Sequence, residues 1–590
     1  MVHERGRGVS KALLGTLSLV AVVLAGPGAP AGAAPSTSGQ AESDNATVYV
    51  VQMADDPIVA YEGGVRGFEP TKPAPGEHVD PDSARVRRYE DYLNRSHAAA
   101  IAAAGAPADA KFYDYAYSYN GFAAVLTRSQ AAQLASQRKV VAVSVDDHRE
   151  PLTDNTPSDL GLTGEGGFWG SGGPGGTDAV GEDVIIGVID TGIWPEHPSF
   201  SDQSDFTYRP GNAGRALRVY GPPPAQWHGT CQGGELFSAK SCNNKLIGAR
   251  YFVSGLTLAG ASLEGDYLSA RDHDGHGTHT ASTAGGNRGV DPSIFGRDLG
   301  VDTISGMAPR ARIAAYKGCF GEAGCVVSDL VAAIDAAVHD GVDVINYSIG
   351  SNTPSVLSAD AIAFLFASDA GVFVATSAGN AGPEPGTVGA PAAAPWVTTV
   401  GASTHSRVFA NTVTLGNGAT YIGGSVTHGI GSTRLVDGGE ECPDGLDPAT
   451  VSGAIVLCLR VTGIPRVLHG AGVAAAGGVG MILYDPPQVN VTPTDNHVVP
   501  TSTVSGPDGA AIADYIAGAG DAATASLTAG SAAPNTGAPD MAVFSSRGPN
   551  GAAPDIIKPD VTAPGVQILA GMTPEPAFSA DVPEVPGEYY

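Results

Sequence analysis

Residues 184–192, VIIGVIDTG, decide the fold, because an unbroken apolar run ends there in an aspartate and two turn residues. Such a run is typical of a strand buried on both faces of a parallel sheet. Similar runs recur at 311–318 (ARIAAYKG), 342–350 (VDVINYSIG) and 372–380 (VFVATSAGN), and helix-like stretches separate them. The sequence predicts an α/β domain with a parallel sheet flanked by helices. We expect its functional site at the carboxyl ends of the strands.

The stretch between the second and third runs predicts one of the flanking helices. Ser328 is the expected N-cap, and Gly341 is placed to end the helix. The apolar positions form one stripe at helical spacing: Leu330, Val331, Ile334 and Val338. A second helix is predicted at 358–371, SADAIAFLFASDAG.

The first 33 residues have the features of a signal peptide. Basic residues precede an apolar run at 12–26, ALLGTLSLVAVVLAG, and the small residues Ala31, Gly32 and Ala33 follow it. The run is short for a membrane span and glycine interrupts it, so we favour an exported protein over a membrane-anchored one. The sequence therefore predicts a signal peptide at 1–33 and a secreted, extracellular protein.

Residues 46–150 are interpreted as a separate small α+β unit. Strands are predicted at 47–53 (TVYVVQM), 122–127 (FAAVLT) and 140–145 (VVAVSV), with a short helix from Ser129 to Gln137. The next stretch, 151–180, is polar and rich in glycine, as expected of an exposed, cleavable linker leading into the mature N-terminus.

The α/β pattern covers 181–422 and continues at 531–590, and the segment 423–530 interrupts it. Strand-like runs alternate there with one glycine-alanine helix, and polar loops bound the segment. We interpret 423–530 as an inserted, mostly-β domain.

The charge balance narrows the choice of partners. The 590 residues include 60 aspartates and glutamates against 32 lysines and arginines, which gives a net charge of -28. This charge would repel nucleic acids and anionic membranes, so we exclude both as partners. A hydrophobic content of 43% allows a sizeable core, and the length requires more than one domain.

Six cysteines support an oxidising compartment. They fall into three local pairs: Cys231 and Cys242, Cys319 and Cys325, and Cys442 and Cys458. Spacing alone leaves all pairings open. Because no CxxC occurs and no histidine lies at ligand spacing from these residues, we favour three local disulfides over a metal site.

Three motifs carry side chains suited to catalysis. Asp190 ends the first run, where a buried carboxylate could orient a histidine. His276 and His279 lie in DGHGTHTAST (274–283), which lacks the glutamate of a zinc-binding HExxH helix and favours a helix N-terminus. Asn380 lies in a glycine-flanked turn, where its amide could stabilise an oxyanion. Taken alone, Asp190 and Asn380 also fit ordinary turn residues.

Together and in this order, the motifs DTG, HGTHTA and SAGN resemble those of the subtilisin-like (subtilase) family of serine peptidases. The resemblance implies that Asp190 and His276 are catalytic residues and that Asn380 is the oxyanion-hole donor. FSSRGPN (544–550) and KPDVTAPG (558–565) resemble the lead-in to the family's serine motif.

The likeness is closest to the plant-type branch of the family. That branch has a protease-associated domain between its asparagine and serine motifs, which implies this identity for 423–530. The motif VINYSIG resembles the family's substrate-binding strand. It implies that Ser348, Ile349 and Gly350 lie beside the bound peptide.

The resemblance also implies that residues 46–150 are an inhibitory propeptide, similar to the family's ferredoxin-like prodomains. Such a segment occupies the cleft with its C-terminal tail until it is cleaved, here near Thr153-Asp154. The expected partners are therefore polypeptide substrates and the chain's own propeptide, with no membrane contact after signal cleavage. The implied chemistry needs no cofactor and no metal. Structural calcium occurs in many relatives, but no acidic loop here is distinctive enough to predict it.

The sequence departs from the family at the nucleophile. The family's serine lies in a GTSM- or GTSA-type motif at a helix start, and Gly-Thr-Ser occurs nowhere in the chain. Ser545 and Ser546 lack the glycine context of that motif. We therefore expect residues 1–590 to be an incomplete chain that is inactive as it stands, because loss of the serine alone costs about a million-fold in rate in subtilisin.

A second interpretation is a non-catalytic homologue that uses the cleft and the inserted domain to bind peptides or proteins. The coding sequence beyond Tyr590, or casein hydrolysis by the culture supernatant of the source, discriminates between the two.

Overall fold

The computed structural model describes residues 46–74, 77–151, 160, 162, 168–169, 180–202, 220–292, 299–301, 303–461, 464, 466–486 and 492–574, without the side chains of 148–151 and 322. All of them belong to one compact unit, residues 45–590. The predicted signal peptide and the predicted cut near Thr153-Asp154 lie outside the described residues. None of the described helices is both long enough and apolar enough to cross a membrane.

The N-terminal domain is a four-stranded antiparallel sheet with two helices. Its elements are β1 (Thr47–Met53), α1 (Ala84–Ala103), β2 (Lys111–Tyr115), β3 (Gly121–Leu126), α2 (Arg128–Ala135), β4 (Val140–Val145) and β5 (His148–Pro151). The strand order is β2-β3-β1-β4, and β5 pairs elsewhere. Thr127 and Gln130 form a capping box that starts α2. The predicted α+β unit is confirmed, but α1 and β2 were not predicted.

The first part of the α/β domain follows. Its elements are β6 (Ile185–Asp190), β7 (Leu246–Tyr251), α3 (Ser254–Leu258), α4 (His276–Gly285), β8 (Arg312–Lys317), β9 (Cys319–Phe320), β10 (Gly324–Val326), α5 (Val327–Asp340), β11 (Val344–Tyr347), β12 (Ile349–Gly350), α6 (Ala359–Asp369), β13 (Phe373–Ser377) and β14 (Thr398–Ser403). The four apolar runs thus become β6, β8, β11 and β13, as predicted.

The inserted domain is mostly β. Its elements are β15 (Arg407–Leu415), β16 (Thr420–Gly424), β17 (Ile430–Gly439), α7 (Pro448–Val451), β18 (Ile455–Leu459), α8 (Arg466–Ala475), β19 (Gly480–Tyr484), β20 (Thr501–Val504), α9 (Gly506–Ala519), β21 (Thr524–Leu527) and β22 (Ser531–Pro534). The order is β16-β20-β19-β18-β17-β21-β15-β22, and an additional β16–β15 pairing closes this sheet on itself. The expectation of one helix was wrong, since α8 and α9 both pack on the sheet.

After the insert the chain returns to the main sheet as β23 (Val561–Pro564). The main sheet has the order β23-β14-β13-β11-β6-β8-β7, and all its neighbours are parallel. The parallel sheet flanked by helices is therefore confirmed. It places the end of β6 near the middle of the sheet, where the ends of several strands can converge.

Helix α5 is more buried than its predicted stripe implied. Every side chain in it is buried except that of His339. The N-terminal domain covers the face that would otherwise meet solvent, and one apolar core joins Ile58 and Tyr89 of that domain to Ile334 and Phe364. The prediction that Ser328 is the N-cap was wrong. The helix begins at Val327, and no side chain of its own N-cap residue caps it.

Three disulfides link the described cysteines, and each joins two members of one predicted local pair: Cys231–Cys242, Cys319–Cys325 and Cys442–Cys458. The second holds β9 against β10, and the third joins β18 to the loop after β17. Each closes only a short loop, with sequence separations of 11, 6 and 16, so each constrains the unfolded chain less than a disulfide between distant residues would.

Candidate active site

Asp190 is fully buried at the carboxyl end of β6. Its Oδ1 accepts the backbone N–H of Thr191 at 2.7 Å, and its Oδ2 accepts the hydroxyl of Thr280 at 3.1 Å. These bonds fix the orientation of the carboxylate. The local sequence explains the placement, because a strand buried on both faces carries the chain straight into the turn at Thr191.

His276 is the first residue of α4, and its ring lies against Asp190. Its Nδ1 is 2.6 Å from Oδ1 of Asp190, and only 15% of its side chain is exposed. Burial lowers the pKa of His276, but the charge and hydrogen bond of Asp190 outweigh this and raise the pKa above its ordinary value. Among the described residues, Nε2 of His276 has no hydrogen-bond partner. The ring is thus held through one nitrogen while the other can exchange a proton.

His279 has a different environment, although it lies only one turn further along α4. Its Nε2 lies 3.3 Å from the backbone oxygen of Ile568. Burial lowers the pKa of His279 to about 4, so it is neutral at pH 7. Within the part of the chain that the structure describes, no group of three or more His, Cys, Asp or Glu side chains could hold a metal ion.

Sequence reasoning missed three side chains around the start of α4. Asp274 accepts the backbone N–H of His276 at 3.1 Å, Thr191 accepts that of Gly277 at 2.7 Å, and Asp272 accepts that of Thr278 at 2.8 Å. An aspartate shortly before a helix start is a recognised capping signal and could have drawn attention to Asp272.

Asn380 follows β13 in an exposed turn. Gly379 before it has φ +107°, a backbone conformation that favours glycine. Ser546 holds this turn, since its N–H donates to the oxygen of Gly379 at 2.9 Å and its Oγ accepts the N–H of Ala381 at 3.1 Å.

A cavity of about 200 Å³ brings the predicted elements together. It is lined by Thr280 and Thr283 of α4, by Ser348 and by Gly379 and Asn380. Ile349 is buried and forms β12 with Gly350, at the carboxyl end of β11. The structure therefore gathers the helix of His276, the turn of Asn380 and Ser348 around one space, and Ile349 and Gly350 follow Ser348 directly in the chain.

The tail of the N-terminal domain lies between two short strands of the α/β domain. Strand β5 pairs antiparallel with β12, where Ile349 is opposite Pro151 and Gly350 is opposite Glu150. On its other side β5 pairs antiparallel with β10, where Cys325 is opposite Arg149. An extended segment placed between two strands in this way is held by main-chain hydrogen bonds, which is the geometry of β-augmentation.

The two serines of FSSRGPN (544–550) have structural tasks. Ser545 and Ser546 are both buried. The Oγ of Ser545 accepts the N–H of Ala402 at 3.0 Å, and that of Ser546 holds the turn of Asn380. Both hydroxyls are therefore engaged in positioning the backbone.

Comparison with known proteins gives two family matches. The sequence model described as the subtilase family matches residues 181–582, and the model described as peptidase inhibitor I9 matches residues 48–151. The first range contains Asp190, His276 and Asn380, and the second coincides with the N-terminal domain and its tail.

Curated relatives come from Arabidopsis thaliana. The chain is 41% identical to Subtilisin-like protease SBT1.6 over 77% of its own length and 59% of that protein, and 42% identical to Subtilisin-like protease SBT1.4 over 78% and 58%. It is 34% identical to Subtilisin-like protease SBT2.5 over 92% of its length and 70% of that protein. The chain thus spans just under three fifths of the length of the first two relatives.

Among solved structures, the psychrophilic subtilisin-like protease Apa1 from the Antarctic psychrotroph Pseudoalteromonas sp. AS-11 matches with a TM-score of 0.27 and 17% identity. The match covers 60% of this chain and 77% of the other.

Proposed function

This chain belongs to the subtilase family, and from that membership we propose that it is the precursor of a secreted serine endopeptidase of the Asp-His-Ser type. The observation that carries the proposal is the contact of His276 with Asp190, which leaves Nε2 of the imidazole available for proton transfer.

In the proposed reaction a serine hydroxyl attacks the peptide carbonyl while Nε2 of His276 takes its proton. The same nitrogen then donates the proton to the leaving amine. Asp190 holds Nδ1–H, fixes the tautomer and stabilises the imidazolium that forms. The raised pKa of His276 favours this proton uptake. Asn380 is the proposed side-chain donor to the oxyanion, a contribution of about 3 to 4 kcal/mol in subtilisin.

We propose that the serine hydroxyl enters the cavity between α4 and the turn of Asn380. Thr280, one turn after His276, and Asn380 itself both line this space. The 590 residues contain no Gly-Thr-Ser, and Ser545 and Ser546 are engaged in backbone hydrogen bonds. The 590 residues alone are therefore proposed to be inactive.

The substrate would bind where β5 now lies. Ser348, Ile349 and Gly350 are the proposed substrate-binding residues, because the backbone of β12 already pairs with an extended segment. Because β5 belongs to the domain matched by the inhibitor I9 model, the same contact supports autoinhibition by an intramolecular propeptide. Cleavage near Thr153-Asp154 would release the tail.

The proposed domain plan keeps the boundaries predicted from sequence: signal peptide 1–33, propeptide 46–150, linker 151–180, catalytic domain 181–422 and 531–590, and protease-associated domain 423–530. The strands of the closed sheet run from Arg407 to Pro534, which favours a longer insert than 423–530. Three disulfides support the proposal that the protein is exported to an oxidising, extracellular compartment.

The second candidate is a non-catalytic homologue that binds peptides. The absence of Gly-Thr-Ser from these residues favours it, and β12 would pair with an extended peptide in the same way as it pairs with β5.

Labelling with a fluorophosphonate, which reacts with activated serines, tests the proposal. The culture supernatant of the source should contain a product of this gene that is labelled and hydrolyses casein, and the purified 590-residue chain should not be labelled. A secreted, processed product that is neither labelled nor active would overturn the proposal and favour the binding protein.

A further inference from the structure

We infer that Asp272 and Thr191 are positioning residues that lock the helix of His276 onto the strand of Asp190. The inference rests on the proposed function, because it concerns the geometry of the proposed catalytic pair. Neither residue is placed to contact a reacting atom, so both would act through His276 and Asp190.

The first observation is an unusual helix start. The first turn of a helix leaves backbone N–H groups without intrahelical partners, and an N-cap side chain normally takes up one of them. Here the N-cap is Gly275, which has φ +103° and no side chain. Side chains from outside the helix therefore cap it instead: Asp274, Thr191 and Asp272 take the N–H groups of His276, Gly277 and Thr278 in turn.

Asp272 is the centre of this arrangement. Its Oδ2 accepts the N–H of Thr278 at 2.8 Å and the hydroxyl of Thr278 at 2.6 Å. Its Oδ1 accepts the N–H of Gly275 at 2.9 Å and the hydroxyl of Thr191 at 3.0 Å. Asp272 is fully buried, so these donors replace the water that the carboxylate has lost.

Thr191 makes the connection to the strand. It follows Asp190 directly, and its N–H donates to Oδ1 of Asp190 at 2.7 Å. Its hydroxyl accepts from Gly277 and donates to Asp272, so the single Oγ1 joins the end of β6 to the start of α4. Hydrogen bonds therefore hold both segments that carry the contact of His276 with Asp190, namely the start of α4 and the end of β6.

The backbones in this region leave no room for an independent shift. A Cβ on Gly277 would lie 2.3 Å from the oxygen of Gly192, and a Cβ on Gly192 would lie 2.7 Å from the oxygen of Ala270. The capping bonds add direction to this packing, because each of them pairs one particular amide of α4 with one particular oxygen.

A helix start that loses these bonds would still fold against the sheet but would hold His276 less accurately. Misplacement of a reacting group by about 1 Å can cost about a hundredfold in rate. We therefore expect changes at Thr191 or Asp272 to lower kcat about tenfold to a hundredfold. KM should be nearly unchanged, since neither residue belongs to the proposed substrate-binding residues 348–350.

Thr191 permits a matched pair of variants. Thr191→Val keeps the shape of the side chain and its zero charge but removes the hydroxyl, whereas Thr191→Ser keeps the hydroxyl. The imidazole of His276 is titrated by NMR in the 590-residue chain, with His276→Gln to assign its signal. Asp190 contacts this ring, and Asp272, Asp274 and His279 act on it electrostatically.

The pKa of His276 should fall in Thr191→Val and stay at the wild-type value in Thr191→Ser. A hydroxyl that serves only global stability would not shift this titration while the protein remains folded. Asp272→Asn is the second variant. Asp272→Asn keeps one acceptor oxygen. The contact between His276 and Asp190 should therefore be formed in fewer molecules than in wild type and in more molecules than in Asp272→Ala.

Activity is measured in parallel on the complete protein. A selective loss of kcat in Thr191→Val, with recovery in Thr191→Ser, supports the inference. An unchanged His276 titration and unchanged kcat in a folded Thr191→Val protein would overturn it. If wild type does not hydrolyse peptides but its His276 titration still responds to Thr191→Val, the proposed function fails while the positioning role stands.

Discussion

The carboxylate of Asp335 accepts the backbone N–H of Tyr117 at 2.8 Å, across the boundary between the α/β domain and the N-terminal domain. The same carboxylate accepts the N–H groups of Ser118 at 2.7 Å and Ala116 at 3.2 Å. Asp335 lies in the middle of helix α5 of the α/β domain. Its carboxylate thereby accepts the backbone N–H groups of a turn in the N-terminal domain. Asp335 is buried, so the turn depends on this one side chain rather than on water.

Removal of the Asp335 carboxylate should weaken the domain boundary. Asp335→Ala leaves the four backbone amides of residues 116–119 without this acceptor, and we expect a loss of about 2 to 4 kcal/mol in the free energy of unfolding. Asp335→Asn keeps one oxygen and should lose about half as much. Urea unfolding gives the energies, and hydrogen exchange at 116–118 should accelerate in Asp335→Ala. Unchanged exchange there would contradict the assignment.

Asp146 should make the stability depend on pH. It accepts the N–H of Ser328 at 2.7 Å and also its hydroxyl, and so caps α5 from the N-terminal domain. Burial raises its pKa to about 6, against about 3.9 for an exposed aspartate. Between these values the folded protein keeps a proton that the unfolded chain has released, so stability falls as pH rises from about 4 to 6.

The contribution of Asp146 is on the order of 1 to 2 kcal/mol, because part of the side chain is open to solvent. Urea unfolding at pH 5 and pH 7 measures it. This contribution makes the wild type more stable at pH 5 than it would otherwise be relative to pH 7. Asp146→Asn should reduce this gain at pH 5, whereas Asp444→Asn, at an exposed aspartate, should not. An equal gain in Asp146→Asn and wild type would contradict the prediction.

The segment between β1 and α1 should be held by apolar packing rather than by its ion pairs. Tyr61 is buried and stacks on Tyr89 with ring centroids 3.9 Å apart, while Lys72 pairs with Asp369 at 2.9 Å near solvent. We expect Tyr61→Ala to cost about 3 to 5 kcal/mol and Lys72→Ala less than about 1 kcal/mol. Thermal unfolding ranks the two variants. A larger effect of Lys72→Ala would mean that the ion pair dominates.

Gly275→Ala should disturb the start of α4. Its φ of +103° disfavours any residue with a Cβ, and the added carbon would lie 2.3 Å from Cε of Met572. We expect a loss of about 1 to 3 kcal/mol in stability together with lower activity of the complete protein. Gly275→Ala combined with Met572→Ala should recover the part due to the clash and not the part due to φ. Full recovery would show that backbone conformation is unimportant here.

The sequence predicted the elements whose signals are local. Strand β6 is an apolar run that ends at Asp190, and α5 has apolar side chains at helical spacing. Helix α1 was missed although Val86, Tyr89 and Leu93 recur at the same spacing, so its signal was present.

Contacts between distant residues could not be predicted in this way. Asp146 caps a helix 182 positions further along the chain, and only the fold brings the two together. The prediction of Ser328 as the N-cap was wrong for the same reason, because its hydroxyl donates to Asp146 instead of accepting a backbone N–H of the helix. The contact of Asp190 with His276 follows from no spacing rule either, and its prediction depended on the family resemblance.

The most direct test of the proposed peptidase is peptide hydrolysis by the complete protein with His276→Gln, compared with His279→Gln. The two histidines lie one turn apart on α4, but only His276 contacts Asp190, and His279 is neutral at pH 7. We predict that His276→Gln abolishes hydrolysis while the protein still folds, and that His279→Gln retains activity within about tenfold of wild type. Hydrolysis that survives in His276→Gln would contradict the assignment of His276 as the catalytic base.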